Sequence, residues 1–191
     1  MKLRKSCSLW LAGAVIALLA SVTSVKAANP QNLDIHVSIS NSKDLTVDST
    51  FYNFGALPVS SAAVTSAAIT VTNPSSTGLI ETYTIKGDTA TADAGGVNWV
   101  LAASSGTDQY AMSAQFSNSA PALDISNWGS DSLNSTSAVT ATSAVLGNGT
   151  PAESGAAVSP SATRKLWFRI TTPDVVSDPG HHKAVVVLSV L

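Results

Sequence analysis

The sequence predicts an all-β protein, on three observations. Apolar and polar residues alternate over most of the chain after residue 27, which is the period of half-buried strands. Gly, Pro and Asn residues interrupt the alternating stretches at the spacing of turns in sandwich proteins. No window beyond the N-terminal segment shows a helical repeat of apolar residues. We therefore predict a single antiparallel β-sandwich, Ig-like or jelly-roll-like, of about nine or ten strands.

The N-terminal segment is predicted to be a cleaved signal peptide. Three positive charges lie within residues 1–5, an apolar run covers 9–20, and short or small side chains stand near residue 27. This order is typical of a secretory signal, and the apolar run is short for a membrane span. We expect cleavage after Ala27, with Ala28 as the alternative site, and a mature chain, residues 28–191, that has no membrane span. The predicted location is extracellular or at the cell surface, and a periplasmic location is also compatible.

Removing this segment changes the charge and the cysteine content. The whole chain has ten Lys and Arg against twelve Asp and Glu. Residues 28–191 keep six basic and twelve acidic residues, a net charge of −6, and they lose the single cysteine, Cys7. This composition argues against a basic nucleic-acid interface. It also excludes a disulfide scaffold, a cysteine metal site and a cysteine nucleophile in the mature chain.

The first half of the mature chain has the clearest strand pattern. Leu33, Ile35 and Val37 alternate with polar residues, and later stretches repeat this pattern. Asn73 and Pro74 end one stretch, because proline cannot donate to a strand ladder. Strands are predicted at 33–39, 45–47, 51–55, 69–72, 79–85, 97–101 and 110–116.

The second half begins with a weaker pattern. Residues 118–155 are rich in Ser, Thr, Asn and Gly, and we interpret them as long loops that lie over the body and contain one strand at 138–145. Alternation returns at 166–170, and the turn at Asp178-Pro179-Gly180 leads into a last strand at 182–191. The whole of residues 28–191 is predicted to form one domain.

The last strand is apolar on both faces. Val185, Val187 and Leu191 lie on one side, and Val186 and Leu188 are among the residues of the other. A strand with one wet face should alternate, so the second face is expected to be covered. A central strand beneath loop 118–155 would explain this. A neighbouring subunit would also explain it, as would donation of the strand to another chain's sheet. If a neighbouring subunit or another chain's sheet covers the face, Val185, Val187 and Leu191 are the assembly residues and the partner is the protein itself.

The sequence contains few residues arranged for catalysis. His36 stands alone on the polar side of its strand, and the adjacent His181 and His182 point to opposite sides of theirs, which disfavours chelation of one metal ion. The chain has no Gly-x-Ser-x-Gly elbow and no Asp-x-Asp-x-Asp calcium loop. We expect no enzymatic activity, no metal site and no cofactor.

Four residues are candidates for binding a ligand. Trp167 shares a strand face with Lys165 and Arg169, and Trp128 lies in the polar loop region. An exposed indole between two cations could stack on a sugar ring or anchor a protein contact. The alternative is that a loop shields Trp167.

The segments at 53–58 (NFGALP) and 69–73 (ITVTN) resemble the opening of bacterial surface Ig-like modules. With 95–101 (GGVNWVL), the order is also similar to the WxL surface domains of Gram-positive bacteria. Trp99-Val100-Leu101 matches the Trp-x-Leu motif, whereas residues 187–191 (VLSVL) stand where the second copy of the motif belongs. The resemblance implies a β-rich fold and non-covalent association with the cell wall.

Together these features predict a non-enzymatic, exported protein of the cell surface or extracellular space. The export signal, the weakly charged, hydroxyl-rich chain and the last strand favour a structural or adhesive role that includes self-assembly into filaments or layers. A module that binds a cell-wall polymer or glycan is the alternative. A secreted hydrolase has the least support, because no catalytic constellation is visible in the sequence.

Overall fold

Two packed six-stranded sheets make up the computed structural model, which describes residues 31–39, 45–74 and 78–191. The prediction of an all-β sandwich is confirmed. The described residues contain no α-helix, only short 3₁₀ turns at Asp93–Gly95 and Ile125–Asn127. None of their helices is long and apolar enough to cross a membrane. The predicted signal peptide and Cys7 lie outside the described residues.

Twelve strands form the two sheets. Their bounds are β1 Gln31–Ile39, β2 Thr46–Val47, β3 Phe51–Leu57, β4 Ala62–Val64, β5 Ile69–Thr72, β6 Tyr83–Gly87, β7 Thr91–Ala92, β8 Val100–Leu101, β9 Gln109–Phe116, β10 Val139–Thr140, β11 Thr163–Thr171 and β12 His182–Val190. Sheet A has the order β10-β6-β12-β1-β3, and β7 also pairs with β12. Sheet B has the order β2-β5-β11-β9-β8, and β4 also pairs with β11.

The first and last strands lie side by side in sheet A. β1 pairs with β12 in parallel, from Leu33 opposite His182 to Ile39 opposite Leu188. The predicted sandwich is confirmed, but this central pair of sheet A is parallel and not antiparallel. The connection between these two parallel strands is nearly the whole domain. The alternation pattern of a strand carries no information about the direction of its partner.

In sheet B, the outer edge of β9 is completed by three separate pieces of chain. β8 pairs with its start in parallel, Ser132 bridges to Ser113 in its middle, and Gly147 bridges to Phe116 at its end. Gly147 sits in a tight turn, where an added Cβ would lie 2.6 Å and 2.8 Å from the carbonyl oxygens of Thr142 and Ser143. Parts of the predicted loop region therefore serve as short edge pairings.

The core lies between the sheets and contains the alternate apolar residues of both. The inward residues of β12 are buried, and the inward face begins with His182. The His182 ring stacks on the indole of Trp99 with centroids 3.8 Å apart. Its Nδ1 and Nε2 lie 2.9 Å and 2.8 Å from the carbonyl oxygens of Gly180 and Val97. These contacts fix the turn that leads into β12.

Three of the predicted strands are shorter than their sequence patterns. The stretch at 79–85 forms a regular strand only from Tyr83, because Leu79 and Ile80 point into solvent. The pattern at 138–145 yields only the two residues of β10, and the one at 97–101 only those of β8. The short strands β4 and β7 were not predicted. Strands of two or three residues are defined by their partners and contain too little alternation to recognise.

Removal of residues 182–191 is expected to abolish folding, since it deletes a strand that is hydrogen-bonded on both sides within sheet A. The truncated chain should show no cooperative urea transition by circular dichroism. Removal of Leu191 alone is the control, because this residue is 65 % exposed and lies beyond β12. A cooperative transition in the chain truncated at residue 181 would contradict this account of sheet A.

Candidate functional site

The four predicted ligand-binding residues do meet in the structure. Lys165, Trp167 and Arg169 alternate on the outer face of β11, and Trp128 lies in a segment, residues 117–131, that crosses this face of sheet B. We call this segment the covering loop. The residues that sequence reasoning singled out therefore form one surface, but the covering loop occupies it.

Both indoles are buried and hydrogen-bonded within the chain. Trp167 donates from Nε1 to the carbonyl oxygen of Ser117 at 2.8 Å, and Trp128 donates from Nε1 to that of Ala122 at 2.8 Å. Of the two alternatives for Trp167, the shielding loop describes the structure and the exposed indole is wrong. Neither indole presents a face for stacking on a sugar ring, because stacking requires an accessible ring.

The two cations also hold the covering loop. Arg169 donates from Nε to the carbonyl oxygen of Leu123 at 2.8 Å and from Nη1 to Thr171 Oγ1 at 2.9 Å. Lys165 Nζ donates to the carbonyl oxygen of Asn118 at 3.4 Å. Burial lowers the pKa of Arg169, and the nearby charge of Asp124 partly opposes this shift. All four candidate residues thus donate to backbone carbonyls of residues 117–123.

A polar cleft of about 360 Å³ lies between the covering loop and residues 144–148. Its lining includes Gln115, Asp131 and several serine side chains, and it includes no Lys, Arg or His. Gln115, on β9, donates from Nε2 to Asp131 Oδ2 at 2.7 Å and to the carbonyl oxygen of Asn127 at 2.9 Å. This amide ties the wall of the cleft to the covering loop.

Asp131 is the charged group of this cleft. Its side chain is buried, with the residue 2 % exposed, and Oδ1 has no hydrogen-bond partner. Burial raises the pKa of Asp131 to about 6, although Gln115 and the backbone amides of Leu146 and Gly147 partly stabilise the charge. A carboxylate without a cationic partner destabilises a fold when it is buried in this way.

A second cleft of about 270 Å³ lies elsewhere on this side of sheet B. Its lining includes Arg169, Ser104, Ser105, Ser113 and Ile125. Arg169 shares this lining with the serines, while its Nε and Nη1 remain hydrogen-bonded to Leu123 O and Thr171 Oγ1. Of the four residues predicted from the sequence, Arg169 lines the second cleft, and none of the four lines the first.

The predicted assembly residues lie on and beyond the last strand. Val185 and Val187 project from the outer face of β12, where each is partly exposed, and Leu191 follows the strand and is largely exposed. The expectation that loop 118–155 covers this face is wrong, since its first part lies over sheet B and β10 extends the edge of sheet A. Donation of β12 to another chain is also disfavoured, because β1 and β6 already pair with its two edges.

His181 and two aspartates, Asp34 and Asp93, form a group that we call the histidine cluster and that joins three segments far apart in the chain. His181 places Nδ1 2.7 Å from Asp93 Oδ2 and Nε2 2.8 Å from Asp34 Oδ2. Partial burial alone would lower the pKa of His181, but the hydrogen bonds and charges of the two aspartates outweigh it and raise the pKa above 6.5. Within the described ranges, no three His, Cys, Asp or Glu side chains form a metal-binding group.

Sequence reasoning missed the cleft and the histidine cluster. Asp131 has an unremarkable setting in the sequence, between Ser130 and Ser132, and Gln115 is one polar residue of an alternating strand. Asp34 and His181 are 147 positions apart. No local signal connects these pairs, because the pairing of strands and the path of the covering loop bring them together.

A scan against protein-family models finds no match, and a search of curated proteins finds none that is similar.

Asp131→Asn is expected to stabilise the protein at about pH 8 by about 1–3 kcal/mol, because it removes a buried charge and keeps an acceptor for Gln115. The gain should shrink as the pH falls through about 6, the pKa of Asp131 in the fold, where the wild-type side chain becomes neutral. Urea unfolding at several pH values measures this, with Asp88→Asn as an exposed control. A less stable Asp131→Asn variant at pH 8 would contradict the argument.

His181→Gln is expected to destabilise the protein by about 1 kcal/mol at about pH 6. A histidine whose pKa is raised by folding contributes stability below its unfolded pKa of 6.5 and loses it as the pH rises through the folded pKa. The two proteins should therefore converge in stability by about pH 9. Asp93→Asn, which removes one of the two carboxylates, should reduce the pH-dependent part only. Parallel stability curves from pH 6 to 9 would count against the cluster.

Proposed function

We propose that this protein is an exported, non-enzymatic structural or adhesive protein of the cell surface or extracellular space, which self-associates through the outer face of sheet A. The observation that carries this proposal is a partly exposed apolar row on that face. The N-terminal segment, with its charged, apolar and small-residue parts, supports export.

The row runs across three neighbouring strands. Phe51 on β3 is opposite His36 on β1, and His36 is opposite Val185 on β12. The rings of His36 and Phe51 touch edge to face with centroids 5.3 Å apart, and Phe51 is 46 % exposed. Val187 lies one step further along β12 and pairs with Lys86. A partly exposed apolar row on a sheet face favours contact with another surface.

The two sheets differ in how their outer faces are treated. On sheet B the covering loop buries Trp167 and takes hydrogen bonds from the cations on either side. On sheet A, Val185 and Val187 are each partly exposed. Since one face is covered by the chain itself, a second molecule is the natural cover for the other.

The charges on sheet A favour a second copy as the partner. Lys86 and Lys183 flank Val185 and Val187. Asp34 lies on the same face, but its carboxylate is hydrogen-bonded to His181. The mature chain as a whole is acidic, with a net charge of −6. A lysine-flanked apolar patch therefore complements the remaining surface of another molecule of the same protein.

Two of the three histidines have both ring nitrogens engaged within the protein, which supports a non-enzymatic role. Both ring nitrogens of His181 face carboxylates, and both ring nitrogens of His182 face backbone carbonyls. A general base needs a free ring nitrogen within reach of substrate. A secreted hydrolase accordingly has the least support. A module for a cell-wall polymer or glycan is the alternative, which the oxygen-lined cleft beside Asp131 favours more than the buried indoles do.

Sedimentation of the purified protein over a range of concentrations tests self-association. We expect the wild type to form oligomers, and filaments or layers by electron microscopy. The double variant Val185→Thr/Val187→Thr keeps the β-branched shape and removes apolar surface. It should weaken association by about tenfold, or about 1.4 kcal/mol per contact.

Ile80→Thr is the matched control, since Ile80 is 67 % exposed and lies before β6, outside the apolar row. It should associate as the wild type does. A wild-type protein that stays monomeric up to its solubility limit, or a double variant that associates as strongly as the Ile80→Thr control, would overturn the proposal.

A further inference from the structure

The polar cleft between the covering loop and residues 144–148 carries charge of one sign. Of its fourteen lining residues, Asp131 is the only ionisable one. The remaining lining is mostly serine, asparagine and glutamine side chains, with an apolar part at Ala120, Pro121 and Ala122. A cleft of about 360 Å³ has the size of a site for a small ligand.

The charge of Asp131 is only partly offset within the fold, by the Gln115 amide and by the backbone amides of Leu146 and Gly147. Asp131 Oδ2 accepts one hydrogen bond from Gln115, which an asparagine oxygen could accept equally well. Asp131 Oδ1 is buried without a hydrogen-bond partner. No Lys or Arg side chain forms a salt bridge with it among the described residues. Such a buried charge lowers the stability of the native protein. Unsatisfied buried groups of this kind are common at binding sites.

We propose that this cleft binds a primary ammonium group on a small polar ligand, with Asp131 as its counter-charge. An ammonium is a compact cation with three donors and no acceptor. Asp131 supplies the opposite charge, and the hydroxyl oxygens of Ser119 and Ser126 stand in the same lining. A neutral ligand gains nothing from the buried carboxylate, and an anionic ligand is repelled by it.

Two kinds of molecule carry such a group at a size that fits the cleft: an amino sugar and a lysine side chain. The apolar part at Ala120, Pro121 and Ala122 can pack against a sugar ring or against methylene groups alike. The chemistry that both share is the ammonium group. The site lies on the sheet B side of the molecule, so its occupancy is independent of association through sheet A.

Calorimetric titration of the full chain at about pH 8 tests the proposal with matched pairs of probes. Glucosamine is compared with N-acetylglucosamine, and Nα-acetyl-lysine amide with the same compound acetylated on Nε. At least one of the two amines should bind, and its acetylated analogue should bind at least tenfold more weakly, because acetylation removes the charge. The amine that binds identifies the source of the ammonium group.

Asp131→Asn should reduce the affinity for that amine at least tenfold while the protein stays folded by circular dichroism. Asp88→Asn changes the net charge equally, lies outside the cleft, and should bind as the wild type does. The proposal is overturned if neither amine binds, if the acetylated analogues bind as well as the amines, or if Asp131→Asn retains wild-type affinity.

Discussion

The parallel pairing of β1 with β12 is the constraint on which the rest of sheet A depends. Nearly the whole domain lies between β1 and β12 in the sequence, so β12 can pair with β1 only after that long segment has been synthesised. In the fold β12 pairs with β1 on one edge and with β6 on the other. The same pairing places His181 beside Asp34 and His182 against Trp99. Contacts of such long sequence separation close large loops, so we expect this sheet to form late and cooperatively.

The covering loop solves a different problem, on the other sheet. β11 carries Trp167 and its two flanking cations on a face that would otherwise be wet. These side chains donate to carbonyls of residues 117–123, so a segment without regular secondary structure has partners for its backbone acceptors. Residues with the chemistry of a binding site thus bind the protein's own chain. Clefts lie at the margins of this loop, and one of them holds the buried charge of Asp131.

The two outer faces of the sandwich therefore differ in the kind of ligand that each suits. The face of sheet A has a partly exposed apolar row that suits a flat contact with another molecule, while the sheet B side has clefts that suit small polar groups. The described chain has no disulfide, so its stability rests on the core and on any association that binds the folded state. Burial of the Asp131 charge destabilises such a chain, and a bound cationic partner would offset that loss of free energy.

The sequence alone determined the all-β class, because alternation such as Leu33, Ile35 and Val37 reports burial on one side of a strand whatever its neighbours are. It also placed the long strands β1, β9, β11 and β12 and grouped Lys165, Trp167 and Arg169 on one face. It could not determine that β1 and β12 are parallel, that β8 and β10 shrink to two residues, or that Trp167 is buried. Those features depend on which segment lies against a strand, and alternation is blind to the partner. Asp131, Gln115, Asp34 and His181 acquired their roles only through tertiary structure, since burial and hydrogen bonding between segments far apart in the chain create both the charged cleft and the histidine cluster.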